Sequence, residues 1–437
     1  MSKILIYNPA PGPRSSYVFA FIFDRVLDVH WEETDDRNTF DVSDDVRINY
    51  SADNIPGVVQ IQPQGLLNEK DLADFKISPG LWQNLPIIYA GNDVDEIPFD
   101  LFSAVFFMIS RYEEYVCAER DMHNRFKAES SVAFQLGFLE RPVVDEWIFA
   151  LAQVLQSHYP DFSIPLREFS FQPTIDIDNS YAFLHKGILR TLGAFARAIL
   201  KFDGKEISFR FKVYFSKKKD PYDTYSYIKN IHRSSSLSPI IFILCGSFGK
   251  YDKNISYKNK YFRKLVIELS SLGQVSLHPS YRASQKGFIR NEKAILEKIT
   301  GRRIRNSRQH FLKITMPDTY RLLAQSGIEN DYSMGYSSHI GFRAGTCTPF
   351  YFYDISDDKT YDMLIYPFQV IDVALKHMDL TPEMAVNKID EIIAKIKAVN
   401  GLFIADWHNE SLGNYKNWDG WREVYNQLIK LAVQKMK

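Results

Sequence analysis

The sequence predicts an α/β protein with a barrel or partial barrel of βα units in its C-terminal part and a smaller α/β unit before it. The chain has 437 residues, and 45% of them are hydrophobic, which is enough for two domains with cores of their own. From about residue 168, apolar runs of strand length alternate with amphipathic stretches of helix length. Strands that alternate with helices favour a parallel sheet, and six to eight such units in about 265 residues fit a barrel.

The N-terminal unit is predicted from short elements that precede this rhythm. Strands are expected at 3–8, 58–62 and 86–89, and helices at 15–27, 97–115 and 143–155. Pro160 and Pro165 then bracket a stretch that is typical of a linker. The predicted domains are therefore residues 1–165 and residues 166–437.

The C-terminal part is predicted to alternate between strands and helices. Strands are expected at 169–177, 240–245, 274–278, 308–314, 364–371 and 402–407. Helices are expected at 180–200, 223–234, 258–271, 285–299, 316–325, 381–399 and 420–436. The stretch 201–219 is rich in Lys and lacks the pattern, so we expect an exposed, irregular insertion there.

Composition argues against several classes of partner and compartment. Lys and Arg number 53, as do Asp and Glu, so no global field attracts nucleic acid or an anionic membrane. No apolar run approaches the roughly 20 residues that span a bilayer, and the run after Met1 is too short for a signal peptide. The three cysteines are far apart, which argues against a disulfide framework. We therefore expect a cytoplasmic protein without a transmembrane segment.

Two carboxylates stand at the end of the first predicted barrel strand. Asp176 and Asp178 are separated by one residue, so both face the same side of the strand. Two carboxylates in one cavity repel unless a cation or a proton separates them. Barrel enzymes place their chemistry at this end of their strands. A turn or helix cap is the alternative, and the Asp-x-Asp pattern also holds a metal in sugar-nucleotide transferases.

Imidazoles and one guanidinium occur on three later predicted strands. His278 ends one of them, and neutral imidazole is a good ligand for Zn²⁺. Arg308 and His310 share a face of the next, where an Arg can hold a carboxylate. His408 ends the last strand beside Asp406, and a nearby carboxylate raises the pKa of a His, as a general acid requires. Each has a plain structural alternative, but together they predict one catalytic site.

The order of these motifs resembles the polysaccharide deacetylase (NodB-homology) family of carbohydrate esterases. The motifs are Thr-x-Asp-x-Asp at 174–178, His-Pro-Ser at 278–280, Arg-x-x-Phe at 308–311 and a late strand ending in His408. The resemblance covers about residues 168–437 and implies a (β/α)7-type deacetylase barrel. The N-terminal part looks like an uncharacterised domain that precedes such barrels in some bacterial proteins.

The resemblance implies a role for each candidate catalytic residue. Asp176 corresponds to the catalytic base, and Arg308 to the Arg that orients it. His408 corresponds to the general acid, with Asp331 as the carboxylate that supports it. The implied reaction is removal of N- or O-acetyl groups from a carbohydrate.

The implied metal site departs from the family pattern. Asp178 and His278 correspond to ligands of a divalent metal, with Zn²⁺ expected. The second metal His of the family, four residues after the first, is Arg282 here, which cannot ligate a cation. The family's third motif carries Pro where this chain has His310. Either His310 replaces the lost ligand, or the metal is weak or absent.

Three classes of function therefore stay open, and each takes a carbohydrate as partner. The first is a metal-dependent deacetylase with Asp176 as base and His408 as acid. The second is a glycosyltransferase whose Asp-x-Asp holds a sugar-nucleotide metal, and the third is an inactive, sugar-binding barrel. Three aromatic residues are expected either to stack on sugar rings at the mouth or to pack in the protein: Tyr332, Tyr336 and Trp407.

Overall fold

The computed structural model describes residues 3–93, 95–165, 167–283 and 287–436. Its N-terminal part contains a parallel sheet of four strands in the order β2-β1-β3-β4. These strands are β1 (Ile4–Tyr7), β2 (Trp31–Thr34), β3 (Val46–Asn49) and β4 (Val59–Gln60). An antiparallel hairpin follows, made of β5 (Gly80–Trp82) and β6 (Leu85–Ile87). The strands predicted at 3–8, 58–62 and 86–89 are thus present, whereas β2 and β3 lack a clear apolar run and were missed.

The helices of the N-terminal part pack against this sheet, and their apolar side chains form a large core with it. They are α1 (Pro13–Phe19), continued by π-helical turns over Ala20–Leu27, then α2 (Arg37–Asp41), α3 (Leu101–Ile109), α4 (Tyr112–Val116), α5 (Val132–Gln135) and α6 (Val143–His158). Every residue of α3 is buried, which fits its uninterrupted apolar sequence. The helix predicted at 97–115 is broken at Arg111, whose positive φ of 59° ends α3 and starts α4.

The C-terminal part contains a nine-stranded sheet in the order β12-β13-β11-β10-β9-β8-β7-β15-β14. Its strands are β7 (Ser170–Ile177), β8 (Ile240–Leu244), β9 (Gln274–His278), β10 (Asn306–Ser307), β11 (Asn330–Asp331), β12 (Phe350–Asp354), β13 (Lys359–Ile365), β14 (Val370–Ile371) and β15 (Leu402–His408). All neighbours pair in parallel except β12 and β13. The carboxyl ends of the parallel strands therefore meet at one edge of the sheet.

This sheet is strongly curled around the side chain of Arg308. In a flat sheet β11 and β15 would stand about 24 Å apart, at about 4.8 Å for each neighbouring pair. Arg308 nevertheless donates to the carbonyl of Tyr332, just after β11, and pairs with Asp406 of β15 at 2.7 Å. No strand pairing joins β12 to β14 within the described ranges. The structure thus shows a curled, mainly parallel sheet, and a closed barrel stays a prediction.

Helices cover the outer face of this sheet or extend from its loops. They are α7 (Ile188–Leu200), α8 (Gly204–Tyr214), α9 (Tyr225–Ser234), α10 (Lys260–Leu269), α11 (Phe288–Thr300), α12 (Asp318–Gln325), α13 (Asp372–His377), α14 (Pro382–Ala398) and α15 (Trp421–Lys435). Most agree with the predicted helices, although α7 begins eight residues late. The start of the helix predicted at 285–299 lies outside the described residues. No described helix is long and apolar enough to cross a bilayer.

Three local predictions were wrong, each for a physical reason. The stretch 201–219 is not irregular, because α8 forms there and its buried Val213 packs inward. The stretch 308–314 is not a strand, because the chain leaves the sheet after Ser307 and Phe311 adopts a left-handed conformation with φ of 62°. The stretch 364–371 is not one strand: β13 ends at Ile365, and the separate β14 starts on the far side of the sheet.

Buried ion pairs join the N-terminal part to the C-terminal part. Glu114 of α4 receives Arg343 at 2.6 Å and Arg111 at 2.8 Å, and all three side chains are at most 2% exposed. One hydrophobic cluster also runs from Ile4 to Ala432. The predicted boundary between residues 165 and 166 stays a prediction, and residue 166 lies outside the described residues.

Replacing Glu114 by Gln is expected to lower the free energy of unfolding by about 3–5 kcal/mol, because it leaves the buried guanidinium of Arg343 without its counter-charge and that of Arg111 with Glu113 alone. Burial alone would raise the pKa of Glu114, but Arg343 and Arg111 outweigh it and lower that pKa to about 2. The stabilisation is therefore complete above about pH 4.5 and is lost as the pH falls toward 2. Urea unfolding of the variant measures the change. Asp41→Asn, which breaks an exposed pair with Arg37, is the control and should cost less than about 1 kcal/mol.

Candidate metal centre

Three potential ligands converge at the carboxyl edge of the sheet. Asp178 follows β7, His278 ends β9, and His310 lies in the turn after β10. One ligand atom from each lies within 4.8 Å of the others. Nε2 of His278 is 3.0 Å from Oδ1 of Asp178, and Nε2 of His310 is 3.3 Å from Oδ2. The three residues that were predicted as metal ligands are thus brought together.

Both imidazoles are oriented by a partner on their far side. Nδ1 of His278 lies 2.6 Å from the carbonyl oxygen of Arg308, which only accepts, so this nitrogen must carry the proton. Nδ1 of His310 likewise lies 2.9 Å from the carboxylate of Asp252, and that carboxylate is held by the backbone N–H of Tyr281. Metal-binding histidines usually carry such an outer partner, which turns Nε2 toward the ion.

The donor set fits a small divalent cation. Ligands about 2.0–2.1 Å from a tetrahedral Zn²⁺ lie roughly 3.3 Å from each other, close to the two separations observed here. Oδ1 of Asp178 is buried and has no hydrogen-bond donor, although Nε2 of His278 faces it. Burial disfavours a charged imidazole, yet Asp178 and Asp252 raise the pKa of His310 to about 9. The cluster therefore attracts positive charge into its centre.

Asp176 lies beside this cluster and is held by Arg308. Nη1 of Arg308 donates to Oδ1 of Asp176 at 2.9 Å and to Thr174 at 2.7 Å. The other oxygen of Asp176 is 3.7 Å from Nε2 of His278. Nη1 of Arg308 also lies 2.7 Å from Asp406, so the guanidinium is shared between the two carboxylates. Burial raises the pKa of Asp406 well above its usual range, although Arg308 opposes this. Asp176 is thus a fixed carboxylate at the rim of the candidate metal position.

His408 is positioned by Asp372, a residue that the sequence analysis missed. Its Nδ1 lies 2.8 Å from Oδ1 of Asp372, and its backbone N–H donates to the other oxygen. Burial opposes protonation, but Asp372 outweighs it and, with Asp178, holds the pKa of His408 well above its usual range. Nε2 faces the cluster, 3.9 Å from Asp178. A charged, oriented imidazole therefore lies beside Asp176, at the paired position of the neighbouring strand and within 4.8 Å of its carboxylate.

The carboxylate that contacts His408 is Asp372, and not Asp331 as predicted. Asp331 instead accepts hydrogen bonds from Ser307 at 2.7 Å and from the hydroxyl and backbone of Ser333. It is fully buried and links the ends of β10 and β11. Its position supports the turn that carries Arg308 rather than the general acid.

The three aromatic residues that were expected either to stack on sugars or to pack lie in the core. Tyr332 is 6% exposed and stacks on Tyr366, and Trp407 is fully buried against Tyr425. Tyr336 accepts a hydrogen bond from Arg111. Their size and apolar surface explain the burial, so packing is the alternative that the structure supports for these residues.

A cavity of about 310 Å³ opens over the metal cluster, and the N-terminal part forms one of its walls. It is lined by all three candidate ligands, by Asp176 and His408, and by His123 and Arg125. Arg125 donates to the carbonyl of Phe311 at 2.7 Å and is itself held by Asp121. Phe311 directly follows His310, so Arg125 fixes the left-handed turn that presents this imidazole.

The sequence carried some signal for the residues that were missed. Asp372 directly follows Ile371, where both β14 and the strand predicted over 364–371 end, so the sequence already placed this carboxylate at a strand end. Asp252 and Arg125 lie in loops far along the chain from His310, where no periodicity marks them. Only the tertiary contacts identify these two residues.

Comparison with protein families and curated sequences gives one partial match. Residues 4–160 match a family described as a family of unknown function, DUF7033. No curated protein sequence matches the chain. The match therefore concerns only the N-terminal part, which forms one wall of the cavity.

Solved structures give distant likenesses. One is described as a candidate polysaccharide deacetylase from Mycobacterium smegmatis, with 13% identity, a TM-score of 0.39, and coverage of 62% of this chain and 85% of that one. A CE4 family pseudoenzyme from Bacillus anthracis has 13% identity, a TM-score of 0.27, and coverage of 60% and 61%. A 4-alpha-glucanotransferase from Thermococcus litoralis has 13% identity, a TM-score of 0.36, and coverage of 61% and 37%. At this distance, function has to be argued from the site itself.

Proposed function

We propose that this protein is a metal-dependent hydrolase that removes N- or O-acetyl groups from a carbohydrate. One observation carries the proposal: two imidazoles, each held through Nδ1 by an outer acceptor, face one carboxylate, and a second carboxylate held by Arg308 and an imidazole held by Asp372 lie beside this cluster. This is the equipment of metal-assisted acyl hydrolysis, which needs a cation, a base and an acid around one carbon atom.

Asp178, His278 and His310 are the residues that would hold the cation. Two imidazoles with one carboxylate are typical of Zn²⁺ sites in hydrolases. When bound, a divalent cation supplies Lewis acidity, which lowers the pKa of a water molecule and polarises a carbonyl oxygen. In this proposal His310 fills the place left by Arg282, whose side chain is exposed to solvent.

The remaining site residues move the protons. Asp176 accepts a proton from the attacking water, and Arg308 keeps its carboxylate oriented toward the cavity. His408 is protonated and donates its proton to the departing amine or alcohol. Asp372 holds the imidazole so that Nε2, and not Nδ1, faces the leaving group. The two proton carriers lie at paired positions of the neighbouring strands β7 and β15, beside the cluster and within 4.8 Å of each other.

The test is acetate release by the purified full chain from a panel of N-acetylated and O-acetylated amino-sugar oligomers. We expect release after Zn²⁺ is added, and none after treatment with a chelator. Release that is unaffected by the chelator would contradict metal dependence. Sugar transfer from a UDP-sugar with Mn²⁺ would favour the glycosyltransferase, and sugar binding without bound metal or hydrolysis would favour the inactive binder.

Replacing Arg125 by Met is expected to weaken Zn²⁺ binding by about 10–100-fold, because the turn that presents His310 loses its brace. Titration calorimetry on the full chain measures the affinity directly, without any substrate. Arg125→Lys, which keeps a donor toward Phe311, should restore part of it. Arg141→Met removes an Arg of the N-terminal part that pairs with Glu146 away from the cavity, and it should bind Zn²⁺ as the parent does. If Arg125→Met and Arg141→Met bind Zn²⁺ with equal affinity, Arg125 does not hold the turn that presents His310.

A further inference from the structure

The helices α7 and α8 expose an unusual amount of apolar surface. Ile188, Leu189 and Leu200 on or beside α7 are 78%, 86% and 79% exposed. Phe202, at the tip between the helices, is 95% exposed. Further exposed apolar side chains on this hairpin are Leu192, Ile199, Phe211 and Phe215. Contiguous exposed apolar patches of this kind mark sites of interaction with membranes or partners.

The apolar side chains of α7 form one stripe that faces away from the protein. At 100° per residue, the five exposed positions 188, 189, 192, 199 and 200 fall within an arc of about 120°. Within α7 the only buried side chain is that of Ala198. A surface helix normally turns such a stripe toward the core. In α7 the apolar stripe points toward solvent instead.

The hairpin is nevertheless firmly attached at its base. Both carboxylate oxygens of Asp220, just after α8, accept hydrogen bonds from the backbone N–H groups of residues 182–184, just before α7. The hydroxyl of Tyr415 donates to Glu206 of α8 at 2.8 Å. These contacts hold the α7–α8 hairpin in place, so the direction in which its apolar stripe points is fixed relative to the sheet.

Positive charge accompanies this apolar stripe. Residues 186–219 contain ten Lys or Arg and only two acidic residues, although the whole chain has equal numbers of both. The basic residues are Lys186, Arg190, Arg197, Lys201, Lys205, Arg210, Lys212, Lys217, Lys218 and Lys219. Basic side chains beside an exposed apolar face are the combination that binds a helix into the headgroup layer of an anionic bilayer.

We propose that the α7–α8 hairpin binds the surface of an anionic phospholipid bilayer, with its apolar stripe in the headgroup layer. A second copy of the chain is a poor occupant, because it would bring two strongly basic hairpins together. The hairpin begins ten residues after Asp178 and leaves from the carboxyl edge of the sheet. Binding would thus hold the cavity beside the membrane surface, whatever reaction occurs there.

The test is co-sedimentation of the full chain with vesicles of phosphatidylcholine alone or mixed with phosphatidylglycerol. We expect binding to the mixed vesicles that weakens as salt is added, and little binding to the neutral ones. The double variant Leu189→Glu with Leu200→Glu should bind about 100-fold more weakly or worse, because two apolar anchors become anions. Replacing Lys217, Lys218 and Lys219 together by Gln should cost about 100-fold as well.

The matched control is Val42→Glu with Leu81→Glu, which changes two equally exposed apolar residues of the N-terminal part. It should bind vesicles as the parent does, as should Asp176→Asn, so the outcome is separate from that of the hydrolase assay. The proposal is overturned if the parent does not bind anionic vesicles or binds neutral ones equally well. It is also overturned if the hairpin double variant binds anionic vesicles as tightly as the parent. A parent dimer that becomes monomeric in that double variant, without vesicle binding, would assign the stripe to a second copy instead.

Discussion

Replacing Asp176 by Asn is expected to lower acetate release by about 10²–10⁴-fold, the usual contribution of a general base. The amide has nearly the same size, so the hydrogen bond from Arg308 to Thr174 and the packing around Arg308 should survive. It cannot accept the proton of water, however, and it removes one negative charge from the buried guanidinium. The rate constant kcat should fall while the affinity for Zn²⁺ stays close to that of the parent, since Asp176 is not one of the three proposed ligands.

The control for this variant is Asp362→Asn, an exposed carboxylate of β13 that takes no part in the site. Its acetate release should equal that of the parent. If Asp176→Asn retains full activity, Asp176 is not the base. If it loses Zn²⁺ as well, the carboxylate belongs to the metal ligands and the assignment of roles must change.

Replacing Asp178 by Asn is expected to reduce the affinity for Zn²⁺ by more than about 100-fold and to abolish acetate release. Residues that merely orient metal ligands are worth about 10–100-fold in affinity, so loss of the sole anionic ligand should cost more. The variant keeps the shape of the side chain, and its free energy of unfolding should change little. Calorimetric titration of the metal-free protein with Zn²⁺ measures the affinity, and Asp176→Asn serves as a control of equal charge change. Unchanged affinity in Asp178→Asn would remove this carboxylate from the centre.

The convergence of Asp176, Asp178, His278 and His408 was predictable because strand ends are local features. An apolar run that stops at a polar residue marks the carboxyl end of a strand, and parallel strands bring such ends together. The structure also brings Arg308 and His310 to this cluster, although the strand predicted over 308–314 is absent. They follow a two-residue strand, and the backbone N–H groups of Arg308 and His310 still donate to the carbonyls of Leu277 and Pro279 before the left-handed turn at Phe311.

The partners that orient the site could not be predicted because they lie far away in sequence. Asp252 is 58 residues from His310, and Arg125 is 186 residues from Phe311. Such contacts depend on how the sheet curls and on how the N-terminal part packs against it, and no periodic pattern encodes either. The exposed face of α7 was missed for a related reason, since its amphipathic pattern predicts a helix but not which way the apolar stripe points.

The most direct test of the metal centre is anomalous X-ray scattering above the zinc edge from crystals grown with Zn²⁺. The account predicts one strong peak over the carboxyl edge of the sheet, about 2.0–2.2 Å from Asp178, His278 and His310. A peak bound elsewhere, or a peak near Asp178 with His310 turned away, would contradict it.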